Sequence, residues 1–173
     1  MKILKSMFAV LMFASTVKSA VIYGPQNNSI DGLLQYPSLM STFMVSEETN
    51  IYRITVLNQT RGTYTSGILH EFDDLGQIVQ SYPMPFFAVT APPVGTYVGL
   101  TNMYQGSFDI TLKPHTIYGF QWKYTRPNGW YFTQSPMVPK EKNTGPVQIG
   151  TFKQTNLGFY PIPNNLIMRI YSR

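Results

Sequence analysis

Between residues 106 and 135 the chain repeats its apolar side chains every second position, and that period fixes the fold class. Phe108, Ile110 and Leu112 alternate with Ser107, Asp109 and Thr111. After Lys113-Pro114-His115-Thr116, which reads as a turn, Tyr118, Phe120, Trp122 and Tyr124 fall opposite Gly119, Gln121 and Lys123. A period of two sends alternate side chains to opposite faces of an extended strand, so one set is buried and the other meets water. Asn128-Gly129 follows, the dipeptide that best accepts positive φ at both centres of a type I′ turn. The spacing therefore predicts a strand over 117–125 that hairpins into Trp130-Tyr131-Phe132.

The same pattern recurs elsewhere. In IYRITVL, Tyr52, Ile54 and Val56 form one face and Arg53 and Thr55 the other. Residues 67–72 and 77–82 flank Asp73-Asp74-Leu75-Gly76, a turn composition, and further strands are expected over 147–153 and 166–171. Pro83, Pro85, Pro92 and Pro93 read as a loop, because proline donates nothing to a central ladder. Residues 21–38 read as irregular, with Gly24-Pro25 and Asp31-Gly32 as turn signals. Only 12% of residues are charged while 14% are aromatic, and thirteen prolines and thirteen glycines punctuate the chain. That balance favours strands and turns over helices. The expectation is an all-β protein: a single antiparallel β-sandwich, jelly-roll-like in its spacing of turns.

The first residues have a different character. Lys2 and Lys5 precede the uncharged apolar run Met7–Ala14, and Val17-Lys18-Ser19-Ala20 offers small residues for cleavage after Ser19 or Ala20. These are the three parts of a secretory signal peptide in order. The run is too short to span a bilayer, which takes about 20 residues, and no later apolar stretch approaches that length. The division expected is a signal peptide over 1–19, an irregular segment over 20–38 and a β-sandwich over 39–173. Loss of Lys2, Lys5 and Lys18 would leave ten basic residues against eight acidic ones, so a net charge of +5 falls to about +2. The remaining cations are dispersed, with only Lys140-Glu141-Lys142 close together, which argues against nucleic acid as a partner. There is no cysteine, hence no disulfide and no thiolate metal site. Cysteine-free export points to a bacterial protein that is secreted, periplasmic or held at the cell surface. Asn27-Asn28-Ser29 and Asn58-Gln59-Thr60 match the glycosylation sequon, which matters only in a eukaryotic host.

From about Leu39 onward, four segments carry a resemblance. They are Ser41-Thr42-Phe43, the strand IYRITVL, the strand–turn–strand GILHEFDDLGQ, and FDITLKPHTIYGFQW with Leu112, Thr116, Tyr118 and Phe120 at matching places. Their order resembles the jelly-roll modules of bacterial secreted and surface proteins labelled choice-of-anchor domains, which are similar to carbohydrate-binding β-sandwiches. The resemblance implies a binding module and supplies no catalytic residues. Residues 167–173 show no sorting motif, apolar tail or basic cluster, so release or periplasmic residence is expected over anchoring.

Candidate chemistry is sparse. His70, Glu71, Asp73 and Asp74 form the one cluster of histidine and acids, and Asp73 and Asp74 are the candidate ligands for calcium, a hard cation suited to oxygen donors. Turn composition accounts for the same two aspartates without a metal, and no other cofactor is expected. His115 sits in a proline-containing turn. No G-x-S-x-G elbow and no phosphate-binding glycine loop occurs. Eight acidic residues leave a carboxylate pair open, but nothing in the sequence marks one. The aromatics Trp122, Tyr124, Trp130 and Tyr131 are the most suggestive group. Flat rings exposed on a β-surface stack on the apolar faces of sugars, and Arg126, Asn128 and Gln134 could bond the hydroxyls. The stripe from Tyr118 to Tyr124 reads first as the core face of one strand, so Trp130 and Tyr131 lead the set of Trp130, Tyr131, Arg126, Asn128 and Trp122. The functional expectation is a secreted, non-enzymatic module whose partner is an extracellular glycan or protein. Two alternatives stand beside it: a glycan-acting hydrolase, and a small outer-membrane β-barrel, which needs tilted strands of about 10 residues.

Overall fold

The computed structural model describes residues 20–25, 31–36, 38–58, 65–90, 102–124, 129–133, 137–139 and 147–173. Its elements are strands: β1 (Ala20–Pro25), β2 (Gly32–Gln35), β3 (Ser38–Met44), β4 (Thr49–Asn58), β5 (Thr65–Phe72), β6 (Ile78–Thr90), β7 (Asn102–Leu112), β8 (Ile117–Tyr124), β9 (Gly129–Thr133), β10 (Met137–Pro139), β11 (Val147–Thr155), β12 (Gly158–Ile162), β13 (Asn165–Leu166) and β14 (Met168–Ser172). The segment over 1–19 expected to be a signal peptide lies outside the described residues.

The strands form two antiparallel sheets, ordered β10-β1-β14-β4-β7-β6 and β6-β5-β8-β3-β11-β12. β6 belongs to both. Its Ile78–Pro85 portion pairs with β5, and Phe86–Thr90 pairs with β7. The pairings nest: β5 with β6, β4 with β7, β3 with β8, β1 with β14. One long antiparallel ribbon folded over itself gives this order, and the resulting four-stranded sets β1-β14-β4-β7 and β6-β5-β8-β3 are those of a jelly roll. The path stays open from β10 to β12.

The core lies between the sheets. Ile22, Tyr23, Ile51, Ile54, Val56, Leu112, Met168 and Ile170 come from one, and Leu39, Phe43, Leu69, Met84, Tyr118, Phe120 and Trp122 from the other. The rings of Tyr23 and Phe43 meet across the gap with centroids 6.3 Å apart. A membrane barrel would turn such residues outward to lipid and its polar ones inward. Among the described residues apolar side chains face inward between sheets that do not close into a barrel, the reverse of that arrangement.

The alternation read on β8 is the core stripe: Tyr118, Phe120 and Trp122 are all buried. Four expectations need correction. The described part of 20–38 is not irregular, since Ala20–Pro25 supplies β1, paired with β10 and β14, and Gly32–Gln35 supplies β2, paired with β9. Gly24-Pro25 ends β1; it does not prevent it. β6 runs through Pro83 and Pro85 to Thr90. Up to Pro85 it has β5 on one side only, and an edge tolerates prolines whose missing N–H would have faced outward. Pro92 and Pro93 lie outside the described residues. Tyr52 leaves the core face because the β4–β7 register shifts between Ile51 and Arg53. Its ring instead meets that of Tyr171, and Ile51 joins Ile54 and Val56 in the core. The hairpin from β8 into β9 does not form: β8 sits between β5 and β3, while β9 pairs with β2, β13 and, at Trp130, with Asn58 of β4.

Candidate functional site

The β11–β12 hairpin carries an open cleft of about 730 Å³, lined by Lys153, Thr155, Asn156, Leu157, Tyr160 and Pro161. Its turn is built locally. Thr155 pairs with Gly158 across two connecting residues, Asn156 and Leu157. The Thr155 hydroxyl donates to the Gly158 carbonyl oxygen (3.3 Å) and accepts from the Leu157 N–H (3.1 Å). Gly158 has φ +125°, a conformation side chains rarely adopt, so glycine closes this turn. With the hydroxyl so engaged, the polar groups left to the cleft wall are the Asn156 amide, the Tyr160 hydroxyl and the Lys153 ammonium.

Strand alternation decides which way these residues point. Thr151 lies opposite Ile162, and Ile162 packs against the core. Lys153 and Tyr160 face each other one pair further along the same side. The cleft therefore continues the inward surface of the sheet past the end of the core. Tyr160 is 41% exposed and Leu157 86% exposed, so the wall keeps apolar surface in contact with water. Lys153 Nζ lies 5.2 Å from the centroid of the Tyr36 ring, itself packed on the core. That distance is within the range of a cation–π contact.

The opposite side of β11 is tied into the sheet by a row of polar side chains, one from each of five neighbouring strands. Ser81 (β6) meets His70 Nδ1 at 2.9 Å, and His70 Nε2 donates to Gln121 Oε1 (β8) at 2.9 Å. Gln121 Nε2 donates to Ser38 Oγ (β3) at 3.0 Å and to Gln154 Oε1 (β11) at 2.9 Å. With the ring proton on Nε2, Nδ1 accepts from the Ser81 hydroxyl. His70 and Gln121 are buried although they point away from the core. Gln154 stands between Lys153 and Thr155, so the row fixes the strand whose other face walls the cleft.

The cluster of His70, Glu71, Asp73 and Asp74 is separated by the same alternation. His70 turns to Ser81 and Gln121, whereas Glu71 turns to the other face and takes Lys113 Nζ (2.7 Å) and the Tyr82 hydroxyl (3.3 Å). The hydrogen bond to Glu71, and then its charge, raise the pKa of Lys113; burial first and Glu71 second raise that of Tyr82. Asp73 Oδ1 accepts from the N–H groups of Leu75 (3.0 Å) and Gln77 (2.8 Å), closing the β5–β6 turn, and Asp74 is exposed. Among the described residues no three histidine or acidic side chains gather as a metal site. Asp109 is held by Asn50 (2.8 Å) and Arg173 (3.0 Å). Glu47 and Glu48 border a smaller hollow of about 200 Å³ with Thr49, Asn50 and Arg173.

Of the aromatic set read from the sequence, Trp122 is 0% exposed between the sheets, so its ring is closed to any ligand. Arg126, Asn128 and Gln134 lie outside the described residues. Trp130 and Tyr131 lie on β9 opposite Leu34 and Leu33 of β2, and their side chains too are outside the description. The sequence reading missed Tyr160, Lys153 and Asn156. Thr-Asn-Leu-Gly between two extended stretches was the signal available for the hairpin, but a cleft is a tertiary property. No family model, no curated protein and no solved structure matches the chain.

Proposed function

We propose that this chain is an exported, non-enzymatic binding module that holds an extracellular glycan in the β11–β12 cleft. The observation that carries the reading is the half-exposed Tyr160 ring standing in a cleft of about 730 Å³ beside the Asn156 amide. Ligand sites of roughly 300–1,000 Å³ combine apolar surface with a few placed polar groups. A sugar ring needs both, a flat aromatic for its C–H face and amide or hydroxyl groups for its rim.

Other features support the same reading. A jelly roll whose core is filled by its own side chains leaves binding to its edges and loops, where the cleft lies. The jelly-roll strand order is in keeping with the resemblance to choice-of-anchor modules, which belongs to this proposal. The pattern of Lys2, Lys5, Met7–Ala14 and Val17–Ala20 supports export. Against a hydrolase, the carboxylates of Glu71, Asp73 and Asp109 already serve Lys113, a turn and Arg173.

The test is a glycan array probed with the purified chain lacking residues 1–19, followed by titration of any hit against Tyr160→Ala. Binding should weaken at least about tenfold in the variant, as for an aromatic anchor of an interface. A folded Tyr160→Ala protein that binds as the parent does would remove the site. Sugar release from the array would move the reading to the hydrolase.

A further inference from the structure

We infer that the cleft selects an acidic glycan, with Lys153 taking the carboxylate or sulfate of one sugar residue. The inference rests on the binding role proposed above and specifies its ligand.

The charges around the cleft are one-sided. Among the described residues Lys153 is the only charged side chain lining it, and no described acid or histidine lines it beside Lys153. The ion pairs Lys113–Glu71 and Arg173–Asp109 leave Lys153 without a carboxylate partner among the described residues. Nor is it a lysine loose on a surface. Its side chain is half-buried, its ammonium rests on the face of Tyr36, and its strand is locked by the Gln154–Gln121 bond on the other side. A cation held in place has lost little freedom left to lose on binding, so an anion meeting it keeps more of the attraction. Tyr160 lies directly across from Lys153. A sugar stacked on the Tyr160 ring would thus carry its ring substituents towards the ammonium. Asn156 on the turn supplies a donor and an acceptor for neutral hydroxyls nearby.

Carboxylate and sulfate share this chemistry, and matched glycans tell them apart. The probes are trigalacturonate and its methyl ester, then a sulfated galactan oligosaccharide and its desulfated form, each titrated at low and at 0.5 M salt. The full chain without residues 1–19 is used, together with Lys153→Met, Lys153→Arg and Tyr160→Ala. Expected is binding of one acidic member about tenfold or more above its neutral partner, in line with one charge-assisted hydrogen bond. The preference should shrink in salt, vanish in Lys153→Met and survive in Lys153→Arg. Lys153→Met keeps an apolar stem over Tyr36, and an unchanged thermal midpoint shows that it folds.

Equal binding of acidic and neutral partners by the parent chain overturns the inference. It leaves the glycan reading standing if Tyr160→Ala still abolishes binding. A preference for the acid that persists in Lys153→Met also overturns it, since the charge would then be read elsewhere. Absence of binding to all four glycans and to the whole array ends both.

Discussion

Gln121 accepts from His70 Nε2 at 2.9 Å through its carbonyl oxygen and, through its amide nitrogen, donates to both Ser38 and Gln154. One side chain thus joins β5, β8, β3 and β11 on the face of the sheet that points away from the core. Replacing Gln121 with leucine, close in size, strands three buried or half-buried partners. Unmet groups in such a network cost more than the bonds were worth. Gln121→Leu should lower stability by about 2 kcal/mol or more, read as a shift of the urea midpoint with unchanged slope. Amide exchange in β11 should quicken more than in β4, because Gln154 loses its tether. Equal acceleration in both strands would mean that the row does not hold the cleft.

Tyr23 makes the opposite case. Its hydroxyl is buried in the core with no hydrogen-bond partner among the described residues, and burial raises its pKa far above the ordinary tyrosine value. An unpaired buried hydroxyl costs free energy, so Tyr23→Phe should leave stability unchanged or raise it by up to about 1 kcal/mol. Tyr118 is the control. Its oxygen accepts from the Lys113 N–H at 3.0 Å, and Tyr118→Phe should cost about 1 kcal/mol. Thermal melts of both variants decide it, and a destabilised Tyr23→Phe would mean that the hydroxyl has a partner in solution.

What could be read from the residues and what could not divides along sequence distance. The stripe Tyr118-Phe120-Trp122 was legible because a strand's own period carries it. Asn128-Gly129 misled for a related reason: it is a strong local turn signal, but β9 finds its partners in β2, almost a hundred residues earlier. β1 was hidden because six residues ending in Gly-Pro are too few to show a period, and its strand character comes from β14 at the far end of the chain. The bulge that moves Tyr52 off the core face is a property of two strands in register. The cleft escaped for the same cause. Lys153 and Tyr160 are seven positions apart, and only the hairpin makes them neighbours.

Gly119 is needed for closeness across the sheet. A Cβ built there would lie 2.7 Å from Phe72 Cε2 and 2.8 Å from Met40 Sδ, so the two side chains meet over the bare backbone. Gly119→Ala should destabilise by about 1–3 kcal/mol through overpacking. Methionine can swing aside but the Phe72 ring cannot without losing its edge contact with His70, whose centroid is 6.3 Å away. Phe72→Leu should therefore recover part of the loss in the double variant. Additive losses in chemical denaturation would sink the assigned clash.

The last prediction concerns alkaline pH. Lys113, Tyr82 and Tyr118 all have raised pKa values in the folded chain: Lys113 chiefly by its hydrogen bond to Glu71 and then by that charge, the tyrosines chiefly by burial. Each holds its proton more tightly folded than unfolded. Their contribution is complete below the unfolded values, about 10 for tyrosine and 10.4 for lysine. As pH climbs from there through the folded values, the unfolded chain releases protons first and stability falls. The thermal midpoint should thus be flat near pH 9 as far as these groups act, and drop beyond about pH 10. Glu71→Gln removes what raises Lys113 but not the burial of the tyrosines, so its alkaline fall should be shallower than the parent's without disappearing. Lys113→Met should flatten the fall in the same sense while sparing the tyrosine share. Midpoints measured at intervals from pH 8.5 to 11.5 for the three proteins settle it, and parallel curves would show that Glu71 and Lys113 are not coupled in solution.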